Sequence, residues 1–307
     1  MNKWTTTLGT KHIDFSYINK ERLQTIYQQK TVETSSSNFY LLLGDLHGNI
    51  KAAILLAIRL QTLYKVPFKA IFQVGDFGFW PTGIAAKLDD LHYKKEDALD
   101  FFELKKGSIQ EKTDISWFDV PFYFIRGNHE DFVRLNLLSQ KMPSEVATNI
   151  YYLPDYFQGV IEGLNISALG GIIIDLERGR GKKAKAQLKK AQQKIQKAPR
   201  HSNILPLVQS ISINTDLLLT HSGLESRENR DGSKLLETYL SESNIPLHIH
   251  GHHHRFAISR IGLNTVSIGL RNLEMAQNGL LIPGSFAILD WKDRTSFALY
   301  SDLTVNN

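Results

Sequence analysis

The sequence predicts a layered α/β or α+β fold built on a large sheet. Short apolar runs of strand type recur along the chain, and each stops abruptly at a cluster of Gly, Asp, Asn or His: 39–43 (FYLLL), 70–74 (AIFQV), 122–125 (FYFI), 217–219 (LLL) and 246–249 (PLHI). Helical patterns lie between them, and 256–300 is a succession of strands with Gly and Asn turns. Strands that alternate with helices and then continue as strands define that class.

The elements follow in order. Residues 1–38 read as an extension, with a short helix over 19–29 and a Ser-Ser-Ser loop at 35–37. Residues 39–307 form the domain that follows. After the first strand, 50–63 is apolar at Ile54, Leu55, Ile58 and Leu63, the spacing of a helix, with Asn49 as its N-cap. A mixed-charge helical insertion spans 82–119. After the strand at 122–125, Glu130 either holds a loop or begins a helix over 131–138, where acids suit the helix dipole. A second insertion, 178–200, has Ala184, Leu188, Ala191, Ile195 and Ala198 at helical spacing. Residues 232–240 form a helix capped by Ser233, and FAISRI, TVSIGL, FAILDW and SFALY supply the last strands.

Composition narrows the function. With 307 residues, 42% hydrophobic and 22% charged, the chain is long enough for one large domain or two small ones and is neither disordered nor fibrous. There is no Cys, which excludes disulfides, thiolate metal sites and a Cys nucleophile. No apolar run approaches the roughly 20 residues of a membrane span, and the first 15 residues lack a signal-peptide core, so the expectation is a cytoplasmic protein with no membrane partner. The net charge of +5 is local: 178–200 carries ten Lys and Arg and no acid, and outside it 26 basic residues face 31 acidic ones.

The chemistry is concentrated where the runs stop. The five clusters are Gly44-Asp45-Leu46-His47-Gly48-Asn49, Gly75-Asp76-Phe77-Gly78, Gly127-Asn128-His129-Glu130, Thr220-His221-Ser222-Gly223 and His250-Gly251-His252-His253-His254. Layered α/β folds commonly build sites at that end of their strands. Carboxylate, carboxamide and imidazole donors without thiolate suit a pair of divalent metals such as Mn, Fe or Zn. Two cations about 3.5–4 Å apart need a shared carboxylate and a bridging hydroxide between them. Asp76, alone in the central cluster, is the candidate bridge.

In D-x-H, G-D, G-N-H-[ED], an isolated His after a strand, and G-H-x-H, the chain resembles the calcineurin-like metallophosphoesterases over roughly 39–290. Arg126 before the third motif and Glu130 closing it resemble the Ser/Thr-phosphatase and diadenosine-tetraphosphatase branch. The resemblance implies a four-layer αββα β-sandwich with a dinuclear site at the strand ends. It implies that Asp45, His47, Asp76 and His254 hold one metal and Asp76, Asn128, His221 and His252 the other, with Mn first among Mn, Fe, Zn and Ni. One departure stands out. The branch continues G-D-x-x-D-R-G, whereas this chain continues Gly78-Phe79-Trp80-Pro81, so the second Asp and the phosphate-clamping Arg are missing. Phe79 and Trp80 either wall the metals or pack in the core.

The expected activity is phosphoester hydrolysis by a metal-bridging hydroxide. His129, next to a ligand, either protonates the leaving oxygen or orients a phosphate oxygen as an imidazolium. His253 is expected to point outward, and His250 to be a supporting or simply buried histidine. The basic segment is either a platform for nucleic acid or another polyanion, with Arg178 and Arg180 reaching a phosphate, or a solvated helix. The substrate expectation is a nucleotide or nucleic-acid phosphodiester. A phosphomonoesterase is the close rival, and a scaffold that keeps the fold without catalysis is the third reading. The sequence assigns no oligomeric state.

Overall fold

The structure is a computed structural model that describes residues 38–64, 66–82, 98, 100–101, 118–175, 189, 193, 200–204, 206, 214–225, 232–274, 281–294 and 296–300. The expected extension at 1–38 (but for Asn38), most of both insertions, and Arg178 and Arg180 lie outside them. In chain order the elements are β1 (Asn38–Leu43), α1 (Ile50–Tyr64), β2 (Phe68–Gln73), β3 (Phe122–Ile125), α2 (Phe132–Leu135), β4 (Ser144–Ala147), β5 (Ile150–Leu153), β6 (Gln158–Ile161), β7 (Leu164–Leu169), β8 (Ile172–Ile173), β9 (His201–Ser202), β10 (Leu217–Thr220), α3 (Lys234–Glu242), β11 (Leu247–His250), β12 (Ala257–Ile261), β13 (Thr265–Gly269), β14 (Phe286–Asp293) and β15 (Ser296–Tyr300).

Two sheets carry the fold. One has seven strands in the order β15-β14-β1-β2-β3-β5-β4, the other six in the order β12-β13-β11-β10-β7-β6. Their centres are parallel: β1, β2, β3 and β5 in the first, and β7, β10, β11 and β13 in the second. Strand side chains alternate between faces. In β1, Tyr40 and Leu42 meet Ile166, Leu217, Leu219 and Ile249 of the other sheet, while Leu41 and Leu43 meet Ala53, Ile54 and Ala57 of α1. The outer face of the second sheet, with Leu169 and Leu218, packs on Leu236 and Leu240 of α3. The layers are therefore helix, sheet, sheet and helix. Because both faces of the central strands are covered, they read as continuous apolar runs.

Two caps differ in outcome. Ser233 Oγ accepts Leu236 N–H at 3.0 Å, as its position predicts. Asn49 precedes α1, with its carbonyl accepting Ala53 N–H at 3.2 Å and its side-chain amide donating to Leu46 O at 3.0 Å. The acceptor at that helix start is Asp100 Oδ2, 2.8 Å from Lys51 N, a carboxylate at the positive end of the helix. The helix expected over 131–138 is the single turn α2, with Asp131 as its cap. Among the described residues no helix is long and apolar enough to cross a membrane.

Candidate metal centre

The five clusters converge because β1, β2, β3, β10 and β11 end on one side of the sandwich and their loops are zipped together. Leu46 and His47 donate their N–H groups to Asp76 O at 3.0 and 2.8 Å, Gly48 donates to Phe77 O at 3.1 Å, and Gly251 donates to His221 O at 3.2 Å. Glycine precedes two proposed ligands for a steric reason. A Cβ at Gly127 would overlap Asp76 Oδ1, and one at Gly251 would overlap Asp45 Oδ1.

Two groups of potential metal ligands result, Asp45–His47–His254 and Asp45–Asp76–His221, with the donor atoms of each within 4.8 Å of one another. His254 Nε2 lies 3.0 Å from Asp45 Oδ2 and 3.2 Å from His47 Nε2. Asp76 spans the two groups, with Oδ2 3.9 Å from His47 Nε2 and Oδ1 3.6 Å from His221 Nε2. Asn128 Oδ1 is 2.9 Å from His221 Nε2. The His252 ring lies 4.9 Å from that of His221, and its N–H donates to both oxygens of Asp45 at 3.1 Å. All seven residues expected as ligands thus meet, and Asp45 is the residue common to both groups, while Asp76 belongs to the second and faces His47 of the first.

The donor set fits cations. His221 Nδ1 sits 2.8 Å from Val74 O, an acceptor, so Nδ1 carries the proton. Its Nε2 faces Asn128 Oδ1 and Asp76 Oδ1. His47 Nε2, His254 Nε2 and Asp45 Oδ2 converge likewise. Nitrogen and oxygen donors gathered in this way suit a divalent cation. Burial alone would raise the Asp45 carboxyl, but the His254 hydrogen bond and the His221 and His47 imidazoles hold it well below the usual carboxylate range. Burial, then the His221 imidazole, pushes His252 down to about 4, leaving it neutral and able to ligate.

The neighbours have distinct placements. His129 is half-buried, its ring 5.9 Å from that of His47, and its N–H donates to Asp76 Oδ1 at 2.8 Å. Glu130 holds the loop: Oε1 accepts Phe77 N–H at 2.7 Å and Gly127 N–H at 3.4 Å, and Oε2 accepts Phe79 N–H at 2.7 Å. Burial and then Asp76 push its carboxyl up to about 8. His253 turns inward rather than outward, with Nε2 accepting Gly223 N–H at 3.3 Å and its ring 5.0 Å from His252. His250 is buried, its ring 5.3 Å from His248.

Two expectations are corrected or bounded. Phe79 and Trp80, 3% and 0% exposed, are core residues, and Phe79 packs against Phe101 and Phe124. Buried rings offer a substrate no face, so they form no stacking wall. Arg126, before the third motif, has its guanidinium held by Asp155 at 2.7 and 2.9 Å and by His201 O at 3.1 Å. Arg178 and Arg180 lie outside the described residues. The sequence reasoning overlooked Gln73 and His248, both polar residues inside buried strand runs, and that polarity was the available signal.

The family profile described as calcineurin-like phosphoesterase matches residues 40–256. The chain belongs to that family and is a hydrolase acting on phosphoester bonds. No curated protein sequence matches it. Among solved structures it is similar to a dimetal phosphatase from Danio rerio, at 12% identity over 87% of this chain and 99% of that one, with a TM-score of 0.46. It is also similar to phosphopantetheinyl hydrolase from Mycobacterium tuberculosis, at 10% identity over 78% and 91%, with a TM-score of 0.40.

Proposed function

We propose that the protein is a dinuclear metal-dependent phosphoester hydrolase. Asp45, His47, Asp76 and His254 hold one cation, and Asp76, Asn128, His221 and His252 the other. The observation that carries this reading is the convergence of carboxylate, carboxamide and imidazole donors from five loops, with His221 oriented by its hydrogen bond to Val74 O. Divalent cations there would lower the pKa of bound water to near neutral and offset phosphoryl charge. Mn²⁺ is the first cation to load, with Fe, Zn and Ni as alternatives, since the donors are all N and O.

The chain's own residues supply the rest. Asp76 fixes the Asn128 and His129 amides at 2.7 and 2.8 Å, so the third loop is aimed by the second. His129, beside His47, is placed to give a proton to the leaving oxygen. Glu130 keeps the Asp76 loop closed from behind. Replacing His129 by Gln keeps the ring's approximate volume but removes the transferable proton. H129Q should lower kcat by about 10²–10⁴-fold with metal content unchanged, and loss of metal instead would assign His129 to ligation.

The substrate reading leans to a nucleotide or nucleic-acid phosphodiester. Its support is the ten Lys and Arg of 178–200. Burial of Phe79 and Trp80 removes the aromatic half of that support and brings the phosphomonoesterase reading level. Turnover of bis- against mono-nitrophenyl phosphate by Mn-loaded protein separates the two, and a strong monoester preference ends the diesterase reading. The presence of all seven donors counts against a scaffold without catalysis.

A further inference from the structure

We infer that Gln73 is a positioning residue that sets the separation of Asp45 and Asp76, an inference that rests on the metal-centre reading above. Gln73 ends β2 and is fully buried. Strand alternation puts it with Ile71 on the face turned to α1, which is otherwise lined by Leu41, Leu43, Phe122 and Phe124. An amide in such surroundings is costly unless its hydrogen bonds are made.

Every hydrogen bond of its side chain ends on a glycine that immediately precedes a carboxylate. Nε2 donates to Gly44 O at 3.0 Å and to Gly75 O, and Oε1 accepts Gly75 N–H at 3.1 Å. The regular pairing of β1 and β2 reaches Val74 N–H on Leu43 O at 3.2 Å. Beyond it the two strands turn into their loops, with Gly75 at φ +98°. The Gln73 amide ties the chains together at that turn, in the interval between the last ladder bond and the loop bonds of Leu46 and His47 to Asp76 O.

Asp45 belongs to both ligand groups, and Asp76 faces His47 with one oxygen and His221 with the other. The distance between these carboxylates therefore governs how two cations about 3.5–4 Å apart fit. Gln73 touches neither carboxylate and acts through the backbone of Gly44 and Gly75. Gln61 is a matched control: it is also a buried glutamine, but its Oε1 accepts Phe68 N–H at 2.9 Å at the opposite end of β2.

The test compares wild type with Gln73→Met, Gln73→Glu and Gln61→Met, measuring the Mn²⁺ dissociation constant by calorimetry and the melting temperature of each metal-free protein. We expect both Gln73 variants to fold, to melt no lower than Q61M, and to bind Mn²⁺ at least about tenfold more weakly than wild type. Q61M should keep wild-type affinity. The kcat of Q73M should recover as Mn²⁺ is raised, with substrate KM unchanged. Wild-type affinity in Q73M and Q73E, or failure of both to fold while Q61M folds, overturns the inference and leaves the metal-centre reading intact. A wild-type protein that binds no Mn²⁺ overturns both.

Discussion

His47, Asp76, His252 and His254 have φ of +46°, +49°, +67° and +50°, four of the seven described non-glycine residues in the left-handed region. Such a conformation costs on the order of 1 kcal/mol each and persists only where the surroundings hold it. Here the hydrogen bonds of Asp76 to Asn128 and His129, and of Glu130 to Phe77 and Phe79, do so. Asp76→Asn keeps an oxygen for the two amides but loses the charge shared by both ligand groups. Its turnover should fall roughly 10³-fold, with bound metal reduced and the fold kept; unchanged turnover would remove Asp76 from the site. The buried histidines make a second prediction. Burial holds His248 well below its ordinary value, His250 at about 4 and His253 at about 3. Unfolded, each titrates near 6.5, so the stability they contribute is complete above about pH 6.5 and is lost as pH falls toward 4. Glu130, raised to about 8, acts in the opposite sense but is one group against these three and His252, which is held at about 4. The metal-free melting temperature should drop from pH 6.5 to 4.5, and a flat profile would contradict this assignment.

At the scale of elements, local signals were legible and distant ones were not. Ser233 caps α3 from within its own segment, and Asp175 reinforces the same helix start by accepting Ser233 Oγ–H and Lys234 N–H. Ser233→Ala should cost about 1 kcal/mol or more in a denaturant titration, since it frees Leu236 N–H; no loss would mean that Asp175 suffices. The start of α1 has an acceptor that its own segment could not reveal, Asp100, which is 49 residues from Lys51 in sequence. The runs ending at the five clusters were legible because both faces are buried, whereas β4 and β6 are short, partly exposed and carry no such signature. Gln73 was absorbed into an apolar run for the same reason: its partners, Gly44 and Gly75, become meaningful only when β1 lies beside β2.

At the scale of the molecule, the four layers follow from period-two burial in the strands and one apolar face on each of α1 and α3. Tyr40 and Leu42 face one core, Leu41 and Leu43 another. The site was legible because its donors sit at strand ends in a fixed order, and the fold gathers those ends. The substrate-facing surface was not, because aromatic residues beside a motif look alike whether they line a cleft or, like Phe79 and Trp80, fill the core. In the proposed function the gathered donors bind two cations that hydrolysis needs. The most direct test is metal content per chain by mass spectrometry alongside hydrolysis of bis-nitrophenyl and mono-nitrophenyl phosphate, before chelation, after it, and after Mn²⁺ is restored. Two metals per chain are expected, with activity lost with them and regained on reloading; hydrolysis that continues undiminished in metal-stripped protein would rule out a metal-dependent reaction.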